Sequence, residues 1–122
     1  MWLTAGVAVA SGLGSVARYS VDQAIRRRAT SRMPYATLLV NVTGSFVLGL
    51  VVGLSQHHGL GSEMTLLLGT GFAGGYTTLS TWAWETLFLA RNQQPRTAFL
   101  NLAVSIVLGL MAAGAGLGLA LI

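Results

Sequence analysis

The chain has 122 residues, 53% of them hydrophobic and only 8% charged, with a formal net charge of +4 at pH 7 and a mean hydropathy of +0.68. An ordinary soluble domain carries roughly 25% charged residues, so composition excludes that class and points to an integral membrane protein; the basic residues are all Arg at the edges of apolar runs, which speaks for topology rather than nucleic acid. The absence of Cys excludes disulfides, thiol catalysis and Cys-based metal sites.

At about 20 residues per crossing the chain has room for four spans and one domain. The first apolar run covers about 2–24. Met1-Trp2-Leu3-Thr4 opens it without a basic leader, so this helix is expected to stay rather than be cleaved. Late in it, Arg18 and Asp22 are spaced i,i+4 and are expected to neutralise each other near the interface; the functional alternative makes Arg18 an anion-attracting charge in a vestibule. A basic loop follows with Arg26, Arg27, Arg28 and Arg32.

Pro34 sits where a helix starts and tolerates its missing N–H there. The second span covers about 35–54, and Thr37, Asn41, Ser45, Gly49 and Gly53 recur along it every four residues as one small, partly polar stripe. Small residues at that spacing are expected to serve close helix packing. A buried amide such as Asn41 needs several partners in apolar surroundings, so packing bond and ligand site are equally open. His57 and His58 are adjacent in a loop, without the spacing of a helical metal site, and are expected to be solvated.

The third span is expected over about 62–90, with Ser62 and Glu63 capping its start. Its middle reads Gly71-Phe72-Ala73-Gly74-Gly75-Tyr76-Thr77-Thr78-Leu79-Ser80-Thr81-Trp82, glycine-broken and rich in hydroxyls. An unpaired backbone group in hydrocarbon is costly, so a helix interrupted at this depth is buried in protein or lines a cavity that holds something polar. The carbonyls of 73–78 are expected to lose their i+4 donors and become hard oxygen ligands for a small cation; a glycine kink repaired by the Thr and Ser hydroxyls is the plainer alternative. Glu85 is the one acidic residue well inside a span, either a proton relay or a polar group near a helix end.

After Arg91 and Arg96 the fourth span covers about 97–121 and repeats the stripe with Thr97, Asn101, Ser105, Gly109 and Ala113. Four crossings put both termini and the 56–62 loop on one side and the Arg-bearing loops on the other. The positive-inside rule then predicts extracytoplasmic termini in the plasma (inner) membrane. No nucleophile, base and orienter can be assembled, so an enzyme is not expected.

Taken together, Gly-x-Gly-x-x-Ala-Arg-Tyr at 12–19, Pro34 followed by Thr37-Leu38-Leu39-Val40-Asn41-Val42-Thr43-Gly44-Ser45-Phe46, and the Gly71-to-Thr78 segment resemble the Fluc (CrcB) family of fluoride channels over nearly the whole chain. The resemblance implies an all-α membrane protein of four transmembrane helices, the third broken at mid-membrane, assembled as an antiparallel dimer that exports cytoplasmic fluoride passively through narrow pores. It implies a structural, non-transported sodium ion on the dimer axis, held by the carbonyls of Gly74 and Thr77 from both subunits. It places Asn41, Leu79, Ser80, Thr81, Trp82 and Ser105 along the pore and Arg18 in the vestibule. The family's pore phenylalanines are replaced here by Leu79, which has no ring, and Trp82, which offers an indole edge or its N–H; Asn101 stands near a place where the family often has Tyr.

The one-sided Arg distribution favours insertion in a single orientation, hence a heterodimer with a homologous chain of opposite topology over a homodimer. Within the same family the alternative is a non-conducting partner subunit. Outside it, a small multidrug-type proton-coupled exporter needs an intramembrane carboxylate in the first span, which here has only Asp22 near its end.

Overall fold

The computed structural model describes residues 1–28 and 33–122, so Arg32 in the expected basic loop lies outside the described residues. The described chain is helical, with no strand. Helix α1 spans Trp2–Arg28 and α2 spans Tyr35–His57. Next come α3 (Ser62–Thr65), a π-helical stretch (Leu66–Ala73) and α4 (Gly74–Tyr76), then α5 (Leu79–Arg91) and α6 (Pro95–Ala120).

Among the described residues two helices are long and apolar enough to cross a membrane, α2 with 23 residues and α6 with 26. At about 1.5 Å per residue both exceed the ~30 Å hydrocarbon core. The 13 residues of α5 rise roughly 20 Å and do not. Helix α1 runs on through Arg26, Arg27 and Arg28 rather than ending before a basic loop. Cations in a last turn oppose the negative end of the helix dipole, which favours that extension.

The expected cap at Ser62 is not formed. Gly61 occupies the N-cap with extended backbone and no side-chain bond, Ser62 is already helical, and the Thr65 hydroxyl closes the turn by donating to the Gly61 carbonyl at 3.0 Å. From there α3, the π stretch and α4 continue in right-handed helical backbone through Ala73 and Gly74 to Tyr76. Gly69, Gly71 and Ala73 are its buried positions.

Packing pairs α2 with α6, and α1 with the π stretch and α4, while α5 leans on α6. The α2–α6 seam depends on backbone approach: a Cβ on Gly49 would strike the Ala113 carbonyl, and one on Gly116 would strike the Phe46 carbonyl. Small residues at four-residue spacing thus serve close packing, as their pattern suggested. On the other side a Cβ on Gly14 would meet the Phe72 carbonyl, so α1 presses against the helix leading to the break. That half-helix is held between α1 and α2, with Gly44 of α2 against Tyr76 and Thr77.

Candidate functional site at the helix break

The helix stops at Thr77 and Thr78, whose backbones are extended (φ −80°, ψ 160° and φ −145°, ψ 115°). Two consecutive extended residues deprive the neighbouring amides and carbonyls of their helical partners, and α2 supplies replacements. Asn41 Nδ2 donates to the Thr78 carbonyl at 2.9 Å, and the Thr78 N–H donates to Asn41 Oδ1 at 2.8 Å. One side-chain amide therefore satisfies both backbone groups of Thr78, as a neighbouring strand would. The Thr78 hydroxyl then caps α5 by accepting from the Thr81 N–H at 3.3 Å and donates to Thr81 Oγ1 at 3.0 Å.

The carbonyls of 73–78 do not share one fate. Ala73 keeps its bond from the Thr77 N–H at 3.0 Å and gains the Thr77 hydroxyl, also at 3.0 Å. Gly75 accepts from Ser15 Oγ of α1 at 3.2 Å, and Thr78 is taken by Asn41. Among the described residues no turn, cap or side-chain bond reaches the carbonyls of Gly74, Tyr76 or Thr77. The expectation of six freed carbonyls is thus corrected to three, because a hydroxyl or amide lies within reach of each of the others.

Two cavities meet at Thr78. One, of about 490 Å³, is lined by Asn41, Ser45, Gly74, Thr77 and Leu79 among others. The other, of about 180 Å³, brings Arg18 together with Asp22, Arg26, Thr37 and Thr81. Arg18 and Thr81, distant in sequence, therefore share one space. Ser80 and Thr81 are exposed, and Leu79 is 74% exposed. Trp82 and Ser105 lie outside both linings.

The expected Arg18–Asp22 pair is not formed. Asp22 Oδ2 binds Arg26 Nε at 2.7 Å, and among the described residues Arg18 makes no ion pair. An acidic residue one turn before its basic partner has the better i,i+4 orientation, which decides between Asp22's two candidates. Arg26 also lies 3.9 Å from Glu85, and Glu85 accepts a hydrogen bond from Thr37, a side chain only 2% exposed. Asp22, Arg26, Glu85 and Thr37 thus link α1, α5 and α2 on the Arg-rich end. Sequence reasoning left Glu85 unassigned and saw Thr37 only as part of a stripe; their pairing across 48 positions carries no sequence signal.

On α6, Asn101 is fully buried (0% exposed). It donates to Thr86 Oγ1 at 2.8 Å, Thr86 donates to the Trp82 carbonyl at 2.8 Å, and Ser105 turns its hydroxyl toward Asn101 Oδ1 at 3.4 Å. Asn101 therefore ties α6 to the middle of α5. The Trp82 indole nitrogen is buried without a partner.

Residues 5–117 match the family described as CrcB-like protein, Camphor Resistance (CrcB). The chain is 51% identical over 113 residues to "Fluoride-specific ion channel FluC 1" of Leifsonia xyli, covering 93% of this chain and 82% of that one. It is 46% identical over 113 residues to "Fluoride-specific ion channel FluC 2" of Mycobacterium tuberculosis, with 93% and 85% covered. It is 43% identical over 120 residues to "Fluoride-specific ion channel FluC 1" of Symbiobacterium thermophilum, with 97% and 95% covered.

Proposed function

The chain belongs to the CrcB family, and from that premise we propose that it is a subunit of a fluoride-selective channel through which toxic cytoplasmic fluoride leaves the cell passively. The observation that carries the reading is the helix break stitched by Asn41 to Thr78, with hydroxyl donors following directly on it. Fluoride is small and strongly hydrated, so a selective path must replace its water with compact donors.

Those donors can be counted from the bonds around the break. Asn41 commits one amide proton to the Thr78 carbonyl and retains the other. Thr81 accepts from Thr78, so its own hydroxyl proton is unspent. Ser80 is exposed beside it. Arg18, in one cavity with Thr81, is the charge that draws an anion toward these groups. Leu79 offers no donor, Trp82 contributes its indole, and Ser105 completes the path from α6.

A structural, non-transported sodium ion fits the remaining backbone groups. Gly74 and Thr77 line the same cavity, and their carbonyls are hard oxygen donors of the kind small cations take. A second subunit lying antiparallel would bring the matching pair and complete the set. The protein would cross the plasma membrane four times, as α1, α2, the two half-helices together and α6, with both termini extracytoplasmic. Because Arg26, Arg27, Arg28, Arg91 and Arg96 lie at one end, the partner we favour is a homologous chain of opposite orientation.

Expression in a bacterium stripped of its own fluoride export tests the reading. The chain, with a homologous partner where one is needed, is expected to restore growth in millimolar-range fluoride, and Asn41→Leu is expected to abolish the rescue. Growth no better than the empty strain under both conditions would count against the reading.

A further inference from the structure

A third cavity, of about 530 Å³, lies at the Arg-rich end between the end of α1, the start of α2, α5 and Gln94 just before α6. That volume is in the range of small-molecule sites. Its walls are aromatic: Tyr35 of α2 and, on α5, Trp84 and Phe88, whose rings stack with centroids 5.2 Å apart. Among the described residues its one carboxylate is Glu85, whose side chain is 13% exposed. Thr37 and Arg26 both meet the Oε1 atom of Glu85, and among the described residues no bond reaches Oε2. Arg26, the one cation in the lining, is committed to Asp22 at 2.7 Å and stands 3.9 Å from Glu85. With both carboxylates ionised, Asp22 offsets Arg26 and the charge of Glu85 is left over. Glu85 lines this cavity and not the inner one that holds Arg18. A wall turned only to lipid has no use for a carboxylate. A carboxylate beside the faces of Trp, Tyr and Phe is a set that attracts a cation. A hard metal ion takes several oxygen ligands, and among the described residues no cluster of acidic or His side chains supplies them; an organic cation needs only the charge and the rings.

We infer that this cavity binds an organic ammonium ion, its charge set against Glu85 and its apolar substituents against Tyr35, Trp84 and Phe88. Such a group reaches the Arg-rich end from two sources, a free amine in the aqueous phase or the headgroup of an aminophospholipid. Arg26 and Thr81 line both this cavity and the inner one, so an occupant stands at the passage toward Arg18. Occupancy is therefore expected to lower fluoride flux. That consequence rests on the channel reading, whereas the binding does not.

The test uses the full chain in nanodiscs of phosphatidylglycerol, a lipid without an amine, with benzyltrimethylammonium as the probe and calorimetry as the readout. Saturable binding is expected, and benzyl alcohol, which keeps the ring and lacks the charge, is expected to bind about tenfold more weakly or less. Glu85→Gln is expected to weaken the probe about tenfold. Trp84→Leu, at an exposed position, is expected to weaken it about fivefold. No saturable binding, equal binding of benzyl alcohol, or unchanged affinity in either variant overturns the inference; Trp84→Leu and benzyl alcohol decide it even where Glu85→Gln does not fold. Adding phosphatidylethanolamine to the nanodisc separates the two sources: loss of probe binding identifies the headgroup as the occupant, and retained binding identifies a free amine. In liposomes, saturating probe is expected to lower wild-type fluoride flux. Unchanged flux would remove the obstruction and leave the bound cation, and a wild-type chain that binds the probe but carries no fluoride would tell against the channel reading alone.

Discussion

Asn41 does the work of a strand partner with a single side chain, bonding both the N–H and the carbonyl of Thr78. Asn41→Leu would strand two backbone groups in apolar surroundings, with an expected loss of roughly 1–3 kcal/mol for the unsatisfied groups. The purified variant should therefore melt several degrees lower than the parent, and an unchanged melting temperature would contradict the assigned bonds. Thr37→Val removes the one hydroxyl given to the Glu85 carboxylate among the described residues and leaves it with Arg26 at 3.9 Å. That variant is expected to lose stability by a similar amount and to regain part of it with Glu85→Gln, measured as a double-mutant cycle. At this scale the sequence was partly legible. The importance of Asn41 followed from one amide in an apolar helix. The partner of Asp22 did not, because Arg18 and Arg26 are both four residues away and only pair orientation separates them. Leu79 and Trp82 were noticed as departures, but that the indole nitrogen is buried without a partner depends on how α5 packs on α6.

The glycine and threonine run announced that the third hydrophobic segment is interrupted, since few apolar helices carry Gly-Gly and Thr-Thr together. It did not announce the π-helical stretch at Leu66–Ala73 just before the break, because wider turns leave no residue pattern that differs from a glycine-rich α-helix. It placed the break only to within 73–78; the extended residues are Thr77 and Thr78, where Asn41 can reach. The small residues of the four-residue stripes, Gly49 and Gly53 of α2 and Ala113 of α6, by contrast, specified close packing, and Gly116, outside the stripe, joins the same seam. Gly116→Leu is expected to drive the side chain into the Phe46 carbonyl of α2 and to cost about 1–3 kcal/mol or more from overpacking. Gly114→Ala, where nothing lies within 4 Å of the added carbon, should instead be tolerated or raise stability by roughly 0.5–1 kcal/mol. Size-exclusion profiles and melting curves of the pair check this, and equal behaviour of the two variants would contradict the seam.

At the scale of the molecule, composition alone set the membrane class, and the motifs in order set the family. What the single chain leaves open is its surroundings. Leu110, Met111, Phe99 and Ile106 of α6 are exposed large apolar side chains, and they face lipid or a second subunit. The Arg distribution adds orientation: Arg26, Arg27, Arg28, Arg91 and Arg96 gather at one end of the bundle. Because the chain has no Cys, His58→Cys and Gln93→Cys report the two ends separately, and an impermeant thiol reagent applied to whole cells is expected to label His58→Cys and spare Gln93→Cys. Equal labelling of both would mean dual insertion and would remove the argument for an opposite-orientation partner. The most direct test of the account is fluoride release from liposomes containing the purified chain, alone and with such a homologue, read by a fluoride electrode beside a matched chloride measurement. The account predicts rapid fluoride release with chloride retained in at least the paired preparation; chloride release at the same rate, or no release from either, would contradict it.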